Sequence, residues 1–106
     1  MLSDNPEQMQ VVFKTLNHGH KSLLIDLYQA HFSGDKVVWG YHTQSARPSY
    51  RTRSSGRTHS VHLAEELIDL GLVHQRPQER ADFELVITKE GRNFCTLFAI
   101  GVVKRE

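Results

Sequence analysis

Four arginines, Arg47, Arg51, Arg53 and Arg57, crowd into residues 47–57 of this 106-residue chain. No Asp or Glu falls between Lys36 and Ala64, a stretch that also carries His42, His59 and His62, and all twelve acids lie outside it. Cations gathered without intervening acids suit phosphate or an acidic protein, provided the segment stays together in space. The plainer reading is a solvated loop whose charges pair with the acidic remainder. Trp39 and Tyr41, beside Lys36, are of a type to stack on a base of a single strand, or to serve as core on a short strand.

Other chemistries find less support. His18 and His20 stand two apart, and His59 and His62 three apart. Zinc asks for three or four ligands, and no Cys-x-x-Cys or His-Glu-x-x-His is present, so no metal and no cofactor is expected. The one thiol, Cys95, lies between Phe94 and Leu97 with nothing beside it in sequence to lower its pKa, and reads as a small buried apolar residue. No glycine-rich phosphate loop and no Gly-x-Ser-x-Gly occurs. A binding protein is expected rather than an enzyme.

Length and composition frame these residues. The chain allows one domain, residues 1–106, able to hold a core without staples. Apolar residues make up 39% and charged residues 24%, and the net charge is +1, which is ordinary globular usage. A single cysteine excludes an internal disulfide framework and fits a reducing compartment. No apolar run approaches a membrane span, and the first ten residues lack the pattern of a secretion signal, so cytoplasmic residence is expected.

Periodicity predicts the elements that would position the basic segment. Asn5 can cap a first helix, with Pro6 at its first position and Met9, Val12, Phe13 and Leu16 along one side. A second helix runs from about His20 or Ser22 to Ser33, with Leu23, Leu24, Ile25, Leu27, Tyr28 and Phe32 covering over half its circumference, and Gly34 stopping it. Val37, Trp39 and Tyr41 alternate as a short strand. Thr43 to Thr58, rich in Ser and Arg, reads as a long loop or a poorly formed short helix. Thr58 or Ser60 caps a third helix that ends at Gly71. Leu72 and Val73 then open a hairpin with a polar tip at 75–82, Phe83, Leu85 and Ile87 alternate in its second strand, and Thr88 caps a last helix.

The run Leu63-Ala64-Glu65-Glu66-Leu67-Ile68-Asp69-Leu70-Gly71-Leu72-Val73, followed by Val86-Ile87-Thr88-Lys89-Glu90-Gly91-Arg92-Asn93-Phe94, resembles the winged helix-turn-helix of the MarR and PadR regulator families. The likeness covers roughly residues 55–98. It implies a mainly helical α+β fold: a winged-helix-like three-helix core, a β-hairpin wing and flanking terminal helices. It also implies a supporting helix near residues 40–53, where the sequence is a poor helix former.

Taken with the basic segment, the resemblance implies a small transcriptional regulator that binds duplex DNA. Arg57, Thr58, His59 and His62 would project from the start of the recognition helix, Arg47, Arg51 and Arg53 would contact phosphates beside it, and Arg76 and Arg80 would lie on the wing. The alternative is an adaptor or inhibitor, of phage or plasmid type, that takes an acidic protein partner on a scaffold that has lost DNA reading. No membrane partner is expected. The apolar residues of the terminal helices, Met9, Val12, Phe13 and Leu16 with Phe94, Leu97, Phe98 and Val102, point to a homodimer.

Overall fold

The structure, a computed structural model, describes residues 5–41, 47–77 and 83–101. Helix α1 spans Pro6–Thr15 and α2 spans His18–Ser33. Three short strands follow: β1 (Val37–Gly40), β2 (Ser49–Thr52) and β3 (Thr58–Ser60). Helix α3 (Val61–Asp69), strands β4 (Val73–Pro77) and β5 (Phe83–Ile87), and helix α4 (Lys89–Leu97) complete the order. Among the described residues no helix is long and apolar enough to cross a membrane.

The ends of these helices follow local chemistry. The Asn5 side chain accepts from the Glu7 N–H, with Pro6 at the first helical position. Asn17 caps α2 reciprocally: its side chain accepts from the His20 N–H while His20 Nδ1 accepts from the Asn17 N–H. This is a capping box in which imidazole stands where Glu or Gln is usual. Gly34 closes α2 at φ 79°, a left-handed conformation that costs glycine little. Ser60 and Thr88 cap α3 and α4.

All five strands join one antiparallel sheet in the order β3-β2-β1-β5-β4. Strand β1 is central, pairing Val37 with Thr52 on one side and with Leu85 on the other. The chain leaves the sheet at the β3 edge, runs through α3 and re-enters at the opposite edge as β4. Helix α2 lies against β5 and β1, with α3 and α4 packed upon it. The core fills the space between: Val37, Tyr50, Val73, Leu85 and Ile87 from the sheet meet Leu23, Leu24, Leu27, Leu67 and Phe94 from the helices. Burying a side chain of this kind contributes about 1.5–3 kcal/mol each.

The mainly helical winged core implied by the resemblance is corrected by this sheet. Among the described residues 51% are helical and 24% strand, in a compact α+β fold. The helix, hairpin and helix over residues 61–97 do form in the expected order, and β4 pairs with β5 from Val73↔Ile87 to Pro77↔Phe83. The hairpin is no free wing, however, because the other edge of β5 is taken by β1. Nor, among the described residues, does a supporting helix precede α3: Ser49–Thr52 is strand, and the described part of the Arg/Ser segment folds as the β2–β3 hairpin.

The terminal helices spend their apolar side chains on each other. Phe13 stacks on Phe98 at 4.2 Å between centroids and 6° between planes, and both contact Phe94. Met9, Leu16 and Phe94 are buried in the single chain. Of the residues expected to form a dimer face, Leu97 is the exposed one among those described, and Val102 lies outside the described residues.

Candidate nucleic-acid interface

Side chains alternate across a pleated sheet, so the register assigns each to a face. Val37, Tyr50, Thr52, His59, Val73, Leu85 and Ile87 point to the helices and are buried. The opposite set forms the more open face: Arg51, Arg53, Thr58, Ser60, His74 and Arg76 are exposed, Lys36, Val38, Gly40, Ser49 and Val86 are half-buried, and Glu84 is buried. One unbroken row crosses that open face through all five strands: Thr58, Arg51, Val38, Glu84 and Arg76. At about 4.8 Å per strand, Arg51 and Arg76 stand about 14 Å apart along it.

Two further rows flank the first. On one side, Lys36 and Arg53 are adjacent through the Arg53 N–H to Lys36 carbonyl bond (2.8 Å), and His74 pairs with Val86. On the other side, Ser60, Ser49 and Gly40 stand in register. Among the described residues the open face thus carries Lys36, Arg51, Arg53 and Arg76 with the carboxylate of Glu84, which is buried and paired with Arg76 at 3.3 Å.

The hairpin that supplies Arg51 and Arg53 is tied down by Asp35. Its carboxylate accepts from the Ser54 hydroxyl (2.5 Å) and from the Ser54 N–H (3.2 Å). The Ser54 hydroxyl bond is the largest influence holding the Asp35 carboxyl below its usual pKa, with the Arg53 charge adding to it. The turn closes through the Thr52 N–H to Arg57 carbonyl bond and the Gly56 N–H to Thr52 carbonyl bond.

Three of the residues predicted to project from a recognition helix do something else. Thr58 and His59 belong to strand β3, and α3 begins after them. His59 is buried, with Nε2 2.6 Å from Asp26 Oδ2. The Arg57 guanidinium meets Asp26 Oδ1 at 2.9 Å while its side chain stays 58% exposed. The Thr52 hydroxyl completes the cluster at 3.4 Å. A carboxylate on a core helix is tolerable only when paired and hydrogen-bonded, and Asp26 has three partners. These residues pin the edge hairpin to α2, and His59 is buried by doing so.

His62 is exposed and pairs with Glu66 one turn along α3 at 3.2 Å. Arg47 is exposed just ahead of β2. Arg80 and His42 lie outside the described residues. The geometry therefore brings Arg51, Arg53, Thr58 and Arg76 together on one face, leaves Arg47 near its rim, turns His59 inward, and ties the exposed Arg57 to Asp26. Lys36, Asp26 and Glu84 were missed as site residues. The sign for Asp26 was present: a carboxylate within the apolar run Leu23-Leu24-Ile25-Asp26-Leu27 demands a buried partner.

Among the described residues two concavities stand out, one apart from this face and one bordering it. A cleft of about 330 Å³ is lined by Thr15, Leu16, His20, Glu66, Asp69 and Leu70. His20 Nε2 is buried 3.4 Å from Glu66 Oε1, inside ion-pair range but without hydrogen-bond geometry. Because Nδ1 accepts from Asn17, neutral His20 carries its proton on Nε2 and offers the cleft a donor rather than a metal-binding lone pair. Among the described residues no group of three His, Cys, Asp or Glu side chains is disposed to hold a metal ion. The second cavity, about 220 Å³, opens beside the unpaired end of β5 between Lys36, Arg76 and Glu84 on one side and Leu27, Ala30 and His31 of α2 on the other. Cys95 is buried, and burial pushes its thiol up to about 12, which leaves no thiolate for chemistry near neutrality.

No family model matches the chain, and no solved structure matches it. A stretch of 41 residues is 46% identical to phosphatidylcholine:ceramide cholinephosphotransferase 1 of Caenorhabditis elegans. That stretch is 39% of this chain and 8% of the length of that protein, too small a part to bring its activity across.

Proposed function

We propose that this chain binds nucleic acid, and that the phosphate backbone lies on the open face of the sheet. One observation carries the reading: the register row Thr58–Arg51–Val38–Glu84–Arg76 sets exposed arginines from two distant parts of the sequence on the same face of the sheet. Lys36 and Arg53 extend the positive area along the strands. Lysine and arginine side chains spaced over a face of this width neutralise several phosphates and release their counterions, which is the main source of sequence-independent affinity. The role is that of a small regulator or accessory binding protein, and its single thiol suits a reducing compartment such as the cytoplasm.

Entry of α3 into a duplex groove is not part of this reading. Thr58 and His59, expected to lead that helix, are strand, and His59 is inside.

The test is fluorescence anisotropy of labelled random-sequence oligonucleotides, single-stranded and duplex, from low to moderate salt. Binding should weaken with salt with a log–log slope of about −3, as expected for four phosphate contacts. Lys36→Ala and Arg51→Ala, which leave the buried carboxylates paired, should each reduce that slope by about 1. Removing Arg57 instead would strip a partner from Asp26 and confuse binding with folding. No affinity for either kind of oligonucleotide at low salt would reject the reading and leave the acidic-protein alternative.

A further inference from the structure

We infer that the cavity between the end of α2 and the unpaired end of β5 receives one unpaired base of the bound strand. The inference rests on the nucleic-acid reading above and adds to it the place where a base, as distinct from a phosphate, is held.

The cavity is built where β1 and β5 part. Their register covers Val38↔Glu84 and Val37↔Leu85, and β5 continues past it through Val86 and Ile87. Asp35 and Lys36 are drawn instead to the β2–β3 hairpin. The Ser54 hydroxyl and N–H donate to the Asp35 carboxylate, and the Arg53 N–H donates to the Lys36 carbonyl at 2.8 Å. Leu27, Ala30 and His31 of α2, with its cap Gly34, line the gap from the helix side. Their spacing puts all four on one side of the helix. A Cβ on Gly34 would meet nothing within 4 Å, so the helix end leaves the space open.

Two kinds of wall meet there. Leu27, Ala30, Leu85, Val86 and Ile87 are aliphatic, whereas Lys36, Arg76 and Glu84 bring charge from the open face. The buried Glu84 carboxylate holds the Arg76 guanidinium at 3.3 Å. That fixes the group while leaving it further N–H donors.

A phosphate would gain nothing from the aliphatic walls, and a hydrocarbon would gain nothing from the cations. A base satisfies both: its ring faces pack on apolar side chains, and its edge carries carbonyl oxygens for Lys36 and Arg76. The volume agrees. The cavity measures about 220 Å³, and an apolar cavity of about 150 Å³ takes benzene. One base fits and a base pair does not. Because Lys36 and Arg76 line the cavity and also stand on the phosphate-bearing face, a base can enter beside its own backbone contacts.

The full chain is titrated with oligo(dT), with an abasic oligonucleotide of the same length and with a blunt duplex. Anisotropy of a labelled end gives affinity, and the methyl NMR signals of Leu27, Ala30 and Ile87 report on the cavity. Oligo(dT) should bind about tenfold more tightly than the abasic strand, as expected for one seated base, and should alone move the three methyl signals. Ala30→Leu fills the cavity from the helix side and keeps Lys36, Arg76 and Glu84. It should lose about that tenfold for oligo(dT), while the abasic strand, with no base to seat, reports on the phosphate face.

Equal affinity for abasic and base-bearing strands, the same methyl shifts with the abasic strand or the duplex, or an Ala30→Leu variant with the ratio intact would each overturn the inference while the nucleic-acid reading stands. Absence of binding in all three arms would remove both.

Discussion

His59 Nε2 lies 2.6 Å from Asp26 Oδ2, and both side chains are at least nine-tenths buried. The pair joins the central helix to the edge strand of the sheet. Breaking it by His59→Ala leaves Asp26 buried with Arg57 and Thr52 as its remaining partners and should cost about 3–5 kcal/mol. The double variant Asp26→Leu with His59→Phe should recover most of that loss, since apolar groups of similar volume replace buried ion pairs with little penalty. Urea midpoints of the two variants check this, and equal destabilisation by both would contradict it.

Gly91 marks where α4 meets the turn before β4. A Cβ there would stand 2.1 Å from the Leu72 carbonyl oxygen and 2.7 Å from Ile87 Cγ1. The Leu72 carbonyl already accepts from the Thr88 N–H and cannot retreat without losing that bond. Gly91→Ala should therefore destabilise by at least about 2 kcal/mol, against the few tenths to 1 kcal/mol of stabilisation that the same change brings in an unhindered helix. Thermal unfolding of the single variant decides the point.

Cys95 gives alkaline instability a specific source. Its thiol holds its proton up to about 12 in the folded chain, whereas an unfolded thiol ionises near 8.5–9. Between those values the unfolded state has bound fewer protons, so stability falls as pH rises, by up to about 1.4 kcal/mol per pH unit. Urea midpoints measured from pH 8 to pH 10.5 should drop faster for the native sequence than for Cys95→Ala. A thiol reagent at pH 8 should react only as fast as the chain opens.

Asp35 works in the opposite direction. Its folded pKa is lowered first by the Ser54 hydroxyl. Its contribution is therefore complete above the unfolded value, near 3.8, and disappears as pH falls through the lower folded value. The Ser54 amide resonance should titrate with a midpoint below 3.8, and Ser54→Ala should move the Asp35 midpoint upward.

Much of this architecture was legible and one part was not. Caps at Asn5 and Thr88, the stop at Gly34 and the alternation of Phe83, Leu85 and Ile87 are local chemistry, and each stands where the sequence put it. Strands β2 and β3 escaped notice because their inward positions are Tyr50, Thr52 and His59, with two polar residues among the three, so no apolar alternation announces them. Those polar side chains go inside only because Asp26, far away in sequence, receives them. With the hairpin unseen, the central place of β1 was unseen too, and the β4–β5 ribbon passed for a free wing. The basic site was legible in composition but not in shape, since pairing across Val38 is what gathers Arg51 with Arg76.

The most direct measurement is an amide NMR titration of the full chain with a short single-stranded oligonucleotide at low salt. Shifts should concentrate on Lys36, Val38, Gly40, Ser49, Arg51, Thr58, His74 and Arg76, with the outer side of α1 silent. Shifts confined to α3 and the cleft beside His20, or no shifts at all, would contradict the assignment of the open sheet face as the binding surface.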